Sequence, residues 1–200
     1  MFAKISNNQI VQYPASPHSD FPYVSFPDDW QGGTIEGMTY SIVVSSDQPT
    51  ANLGWGVVEA APSYDANAGV ATQQWTLALE SPSDLSASIS NYRYNVETGG
   101  VNINGTIFPT DRDSQGKYTG ICLYASLPTT NLQTFSVTWK LANSTFTILN
   151  ASQVMEIATT VMGPVQAAFA QEDYYLNLIN TANSSTLQAT DFTQGWPTNA

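Results

Sequence analysis

The sequence predicts an α+β fold, with a β-rich N-terminal module of short strands followed by a compact α+β module. The second module has two hairpins and a long C-terminal helix kinked near Pro164. Three observations carry this expectation. Up to about residue 79, short apolar runs alternate with breaks rich in Pro, Gly and Asp. Beyond it, capping residues precede segments whose apolar positions recur every three or four residues. Asn104-Gly105, the strongest short turn signal, stands between two brief apolar runs.

In the first module the apolar runs are Gln9 to Tyr13, Tyr40 to Val44, Trp55 to Val58 and Gln74 to Leu79. Pro27-Asp28-Asp29, Gly32-Gly33 and Pro62-Ser63-Tyr64-Asp65 separate them and read as breaks, and His18 among Pro14, Pro17 and Pro22 reads as a turn-rich loop. The module boundary falls near residue 80, giving modules at residues 1–79 and 80–182 and a polar tail at 183–200.

The second module opens at Glu80-Ser81-Pro82-Ser83-Asp84. Ser83 is the expected cap of a helix reaching Thr98, with Gly99-Gly100 as its stop. Val101 to Ile103 and Thr106 to Phe108 then form a tight type I′ hairpin. Asp111 caps a helix that carries Tyr118, Ile121, Cys122 and Ala125 on one face and ends at Pro128. A second hairpin follows, from Thr134 to Lys140 and from Thr145 to Leu149, around Ala142-Asn143-Ser144. Asn150, with Gln153 at the capping-box position, starts the last helix, whose stripe includes Val154, Ala158, Val161, Val165, Ala168, Tyr175 and Ile179. Pro164 removes one helical hydrogen bond and clashes with the preceding turn, so a kink or break is expected there. The tail reads as extended or docked on a neighbour.

Composition narrows the functions. Sixteen acidic residues against five basic ones give a net charge of −11, which repels phosphate backbones and argues against nucleic-acid binding. Only 10% of residues are charged, so the surface is polar but largely uncharged, as suits close-packed protein neighbours. One cysteine, Cys122, permits no intrachain disulfide, and one histidine, His18, excludes His–His metal sites. Met1 to Ile5 is followed at once by polar residues, so no signal-peptide core is read, and the apolar runs fall short of a membrane span.

No catalytic constellation emerges. Asp111-Arg112-Asp113 reads as a helix N-terminus, since no further acid or histidine lies nearby in sequence. Asn143-Ser144-Thr145 and Asn183-Ser184-Ser185 are formal glycosylation acceptors and read as turn residues. Trp30, Trp55, Trp75 and Trp196 lie in loop-like surroundings, as loop anchors or as sugar-stacking platforms. No phosphate-binding Gly-rich loop, nucleophile elbow or zinc-protease string is present, and neither a cofactor nor a metal is expected.

Glu97 to Gly105, Thr110 to Gln115, Phe135 to Lys140 and Val165 to Phe169, in that order, resemble a domain found in bacteriophage tail-fibre proteins. The likeness spans about residues 80–182. Weaker matches at Phe2 to Ile5, Ser25-Phe26-Pro27 and Ala61 to Trp75 extend it into the first module. Two departures stand out: Leu141-Ala142-Asn143-Ser144 replaces a usual acidic-glycine turn, and Pro164 interrupts the helix. The resemblance implies a structural part of a phage tail, fibre or peripheral baseplate, made in the host cytoplasm and carried in the virion. It implies no reaction and no assigned catalytic residue. Its expected partners are the chain itself, as a homotrimer, and other tail or baseplate proteins. Val154, Val161, Val165 and Phe169 form the candidate assembly interface, with packing inside their own domain as the alternative. Two further readings are a host-surface polysaccharide-binding module using Trp30 and Trp55, and a fibre chaperone absent from the mature particle.

Overall fold

The computed structural model describes residues 1–127 and 130–198. The expected helix stop at Pro128 lies outside the described residues. The chain is α+β, and it divides into two compact units, Met1–Ala78 and Leu79–Ala200.

The first unit is built on a six-stranded sheet. Strands β1 (Phe2–Ser6) and β2 (Gln9–Ala15) form a hairpin whose two-residue loop, Asn7-Asn8, holds both residues at positive φ. That is the conformation a type I′ turn demands, and asparagine tolerates it. Strands β3 (Gly32–Ile35) and β4 (Met38–Val44) form a second such hairpin through Glu36-Gly37. Gly32-Gly33, expected as a break, therefore belongs to a strand. A Cβ on Gly32 would lie 2.3 Å from the Tyr40 carbonyl oxygen, so the close approach of the two backbones requires glycine there.

Strands β5 (Trp55–Asp65) and β6 (Val70–Leu79) complete the sheet in the order β2-β1-β4-β6-β5, with β3 also on β4. The expected break at Pro62 to Asp65 is the end of β5, and the turn begins only where the Asp65 carboxylate accepts from the Asn67 amide. A single-turn helix, α1 (Pro17–Asp20), replaces the loop expected around His18, because Ser16 caps it and Pro17 opens it. Tyr40 and Phe21 anchor one cluster, with Trp30 and Phe26 packed on it, and Ala3, Ile5 and Ala71 anchor the other.

The second unit starts with α2 (Pro82–Thr98). Its cap is Ser81, two residues before the expected Ser83, since Pro82 suits the first helical position and the Asp84 amide donates to the Ser81 hydroxyl. Next come β7 (Val101–Ile103) and β8 (Thr106–Phe108), paired through Asn104-Gly105 with both residues at positive φ, as the sequence predicts. Helix α3 (Arg112–Ala125) is capped by Asp111. The hairpin of β9 (Val137–Lys140) and β10 (Phe146–Leu149) follows, shorter at its start than the expected Thr134, with Phe135 packed against the core ahead of β9.

Helix α4 (Ala151–Thr181) begins with the expected capping box between Asn150 and Gln153. It continues through Pro164, so the chain does not break there. Val161 and Val165, one turn apart on either side of the proline, are both buried in the core. Burying two such side chains contributes about 1.5–3 kcal/mol each, enough to offset the roughly 3 kcal/mol cost of an interior proline.

The segment after Ala182 is not extended. Asn183 caps α5 (Ser184–Ala189), and Leu187, Phe192 and Trp196 fold back within the second unit. Phe192 is 0% exposed, and its ring lies 5.3 Å from that of Tyr175 on α4. The polar composition of the segment hides this, since three apolar side chains suffice to dock it. No helix among the described residues is long and apolar enough to cross a membrane.

Candidate functional site

A groove of about 640 Å³ lies between α3 and β9 in the second unit. Its helical wall is set by the Asp111 cap. One carboxylate oxygen accepts from the Ser114 amide at 3.0 Å and the other from the Ser114 hydroxyl at 2.6 Å. These bonds, the hydroxyl's first, hold the Asp111 carboxyl below its ordinary range. The cap fixes the phase of α3, so that Tyr118 and Ala125 turn into the core while Lys117, Gly120 and Ile121 line the groove.

The opposite wall is β9. The amide of Leu141 donates to the Thr145 carbonyl at 2.8 Å and that of Ser144 to Leu141 at 2.9 Å, closing a three-residue loop with Ser144 at φ 67°. Antiparallel strands alternate between bonded and non-bonded pairs, so this closure assigns Trp139 and Val137 to the bonds with β10. The backbone N–H and C=O groups of Thr138 and Lys140 then point away from β10. The sheet has two strands, β10 and β9, so that edge of β9 is unpaired among the described residues.

Beneath the groove the Trp139 ring stacks on Tyr118 with centroids 4.3 Å apart. The Trp139 indole N–H and the Tyr118 hydroxyl are both buried and find no hydrogen-bond partner among the described residues, and burial pushes the Tyr118 phenol upward. On the solvent side, Phe146 and Ile148 are 68% and 71% exposed.

The charges around the groove are distinctive in so acidic a chain. Of the five basic side chains, Lys4 pairs with Asp20, Arg93 with Glu97 and Glu172, and Arg112 with Glu97 at 3.9 Å. The remaining two, Lys117 and Lys140, both line the groove, and neither has an ion pair among the described residues. Asp111 also lines it, with its carboxylate held by Ser114.

The residues expected to form an assembly interface divide. Val154, Val161 and Val165 are buried inside their own unit with Tyr118, Trp139 and Leu149, and Val161 is 1% exposed. They are core residues, because the capping box turns that stripe of α4 inward. Phe169 is 41% exposed, and the Arg93 guanidinium covers its ring at 4.7 Å from the centroid. Of the tryptophans, Trp30 packs against Phe2, Phe26 and Tyr40 and so serves the core of the first unit. Trp55 opens β5 half-buried. Trp75 lies within β6, its indole N–H donating to the Ser46 carbonyl, and Trp196 stacks on Tyr92 and Tyr175. Cys122 is a free thiol, half-buried, and its Sγ–H donates to the Val154 carbonyl.

Sequence reasoning missed two features. Lys117 and Lys140 are 23 positions apart, and only the closing of the hairpin against α3 brings them to one groove. Glu97, buried at 4% exposure and gripped by Arg93, carried one available signal: an Arg and a Glu four apart on a helix. Among the described residues, no group of three or more His, Cys, Asp or Glu is placed to hold a metal ion.

Compared with protein families, residues 80–194 match the model of a Domain of unknown function, DUF4376. The matched range includes α5 and Phe192, in keeping with their packing inside the second unit. No curated protein matches the chain, and no solved structure does.

Proposed function

The chain belongs to the DUF4376 family, a domain of unknown function, and from that premise we propose that it is a structural component of a bacteriophage tail, a fibre or peripheral baseplate subunit that assembles with itself or with neighbouring tail proteins. The observation that carries this reading is the open side of the β9–β10 hairpin: a strand edge with no paired strand among the described residues, beside exposed Phe146 and Ile148. Isolated hairpins with bare edges and apolar outer faces gain stability when another chain covers them. The likeness of Glu97 to Gly105 and Thr110 to Gln115 to tail-fibre sequences supplies the phage context. The low charge density of the surface suits permanent protein neighbours.

A polysaccharide-binding role through Trp30 has little support, since that ring is packed against three other aromatic side chains. The test is mass spectrometry of washed phage particles from the genome that encodes this chain, beside light scattering of the purified protein. Peptides of the chain in the particles, with a trimer or a stable complex in solution, are expected. Their absence from particles would overturn the structural reading in favour of an assembly factor.

A further inference from the structure

We propose that the groove between α3 and β9 is a strand-addition site for an extended, acidic segment of a partner polypeptide. The inference deepens the assembly reading and takes from it only that the partner is a protein chain.

Four observations converge on the groove. The backbone groups of Thr138 and Lys140 point away from β10 and bond to no strand among the described residues, which is the template that β-augmentation uses, while at the groove's end the Ala142 amide donates to the Ile107 carbonyl on β8 at 3.4 Å. The wall across from them is a helix, so an entering strand would be held between an edge and a helical face. Gly120 lines that wall, and a Cβ built on it meets nothing within 4 Å. Glycine inside a helix costs about 1 kcal/mol relative to alanine, and here no close contact with the described residues requires it. Its absent side chain widens the groove for a backbone from outside. Lastly, Lys117 and Lys140 stand on opposite walls as the two basic side chains without an ion pair among the described residues, while Asp111, the one carboxylate in the described lining, is held by its own helix.

Together these features state the ligand's chemistry. Its backbone is extended, to pair with Thr138 and Lys140. Its side chains alternate, and those near the two lysines are carboxylates.

The test is a titration of the full-length chain, followed by amide NMR, with a terminally blocked peptide alternating threonine and glutamate at millimolar concentration. A control peptide alternates threonine and lysine. Shifts confined to residues 137–141 and 114–121 with the glutamate peptide, and absent with the lysine peptide, are expected. Lys117→Glu with Lys140→Glu should weaken binding by about tenfold or more. Thr138→Pro removes an outward-facing N–H that the hairpin does not use, and should abolish it. Should that variant fail to fold, Gly120→Leu fills the groove from the helical side and should abolish binding in the same way.

No shifts with the glutamate peptide, equal binding of the two peptides, or binding undiminished in a folded Thr138→Pro or Gly120→Leu variant would overturn the proposal. Self-association of the free chain that Gly120→Leu removes, without peptide binding, would also overturn it and place a second copy's strand in the groove. None of these outcomes involves phage particles, so failure here is distinct from absence of the chain from virions.

Discussion

The Arg93 guanidinium grips the carboxylate of Glu97, one turn further along α2, and through its Nε also reaches Glu172 on α4 at 2.9 Å. Both partners in the first pair are nearly sealed from water, with side-chain exposures of 11% and 3%. Gln115 on α3 donates to the other Glu97 oxygen at 3.2 Å. The buried Arg93–Glu97 pair therefore joins three helices.

Arg93→Ala should destabilise the second unit by about 3–5 kcal/mol, because it strands Glu97 as a buried charge whose nearest other cation is the exposed Arg112. Arg93→Met combined with Glu97→Met should recover a large part of that loss. Urea unfolding of both variants checks this, and equal losses would contradict it.

Phe192→Ala should cost about 3–5 kcal/mol, in the range for truncating a fully buried aromatic side chain. Its ring packs on Tyr175, the Trp196 indole N–H donates to the Phe192 carbonyl at 2.8 Å, and the Tyr175 hydroxyl shares its proton between the carbonyls of Gln194 and Asp191. Ending the chain after Ala182 should lower the melting temperature at least as far. A tail that hung free would give an unchanged melt in both experiments.

The Asp111 cap makes part of the stability of α3 dependent on acid. Its folded carboxyl titrates below the ordinary 3.8, chiefly through the Ser114 hydroxyl and then the Ser114 amide. The charged form is the one the fold prefers. Its contribution is thus complete above the ordinary carboxylate range and is lost as pH falls from 3.8 through the lower folded value. Asp111→Ala should cost about 1 kcal/mol at neutral pH. Asp111→Asn should keep most of the cap and flatten the acid limb, as read from melts at successive pH values.

Ser144→Gly should stabilise the β9–β10 hairpin by about 0.5–1 kcal/mol. Ser144 holds φ 67°, a left-handed conformation costing an L-residue about 1–2 kcal/mol, and glycine's extra freedom in the unfolded chain offsets part of the gain. Thermal melting should show a higher midpoint, and a lower one would sink the argument.

Much of the local chemistry was legible in the sequence, although the Ser81 cap before Pro82 and the Ser16-Pro17 start of α1 were local signals that went unread. The Asn104-Gly105 turn, the Asp111 cap and the Asn150–Gln153 capping box involve residues within three positions of one another, and they stand where spacing places them. The larger departures were decided by distant partners. Gly32-Gly33 is a strand because β4 runs alongside it, Pro164 stays helical because Val161 and Val165 are buried around it, and the polar tail docks because Tyr175 offers it a seat. The groove was illegible for the same reason. Its two walls are brought together only by the folded chain, and its defining property, a strand edge with no paired strand among the described residues, belongs to no side chain.

Helix α4 has 31 residues, a rod of about 46 Å at 1.5 Å per residue. Val154, Ile157, Val161 and Val165 on its first half help form the core with Tyr118 and Trp139, while Ala168, Tyr175 and Ile179 on its second half are buried near α2 and the docked C-terminal residues. Because one unbroken rod is shared by both regions, neither can come apart without freeing a wall of the other. Amides along the middle of α4 should therefore exchange with solvent at a single slow rate set by collapse of the entire unit, while only the rims, α5 and the Ser144 loop, open on their own. A tension applied along this rod would be borne by its whole length at once, and the unit would give way in one event instead of peeling.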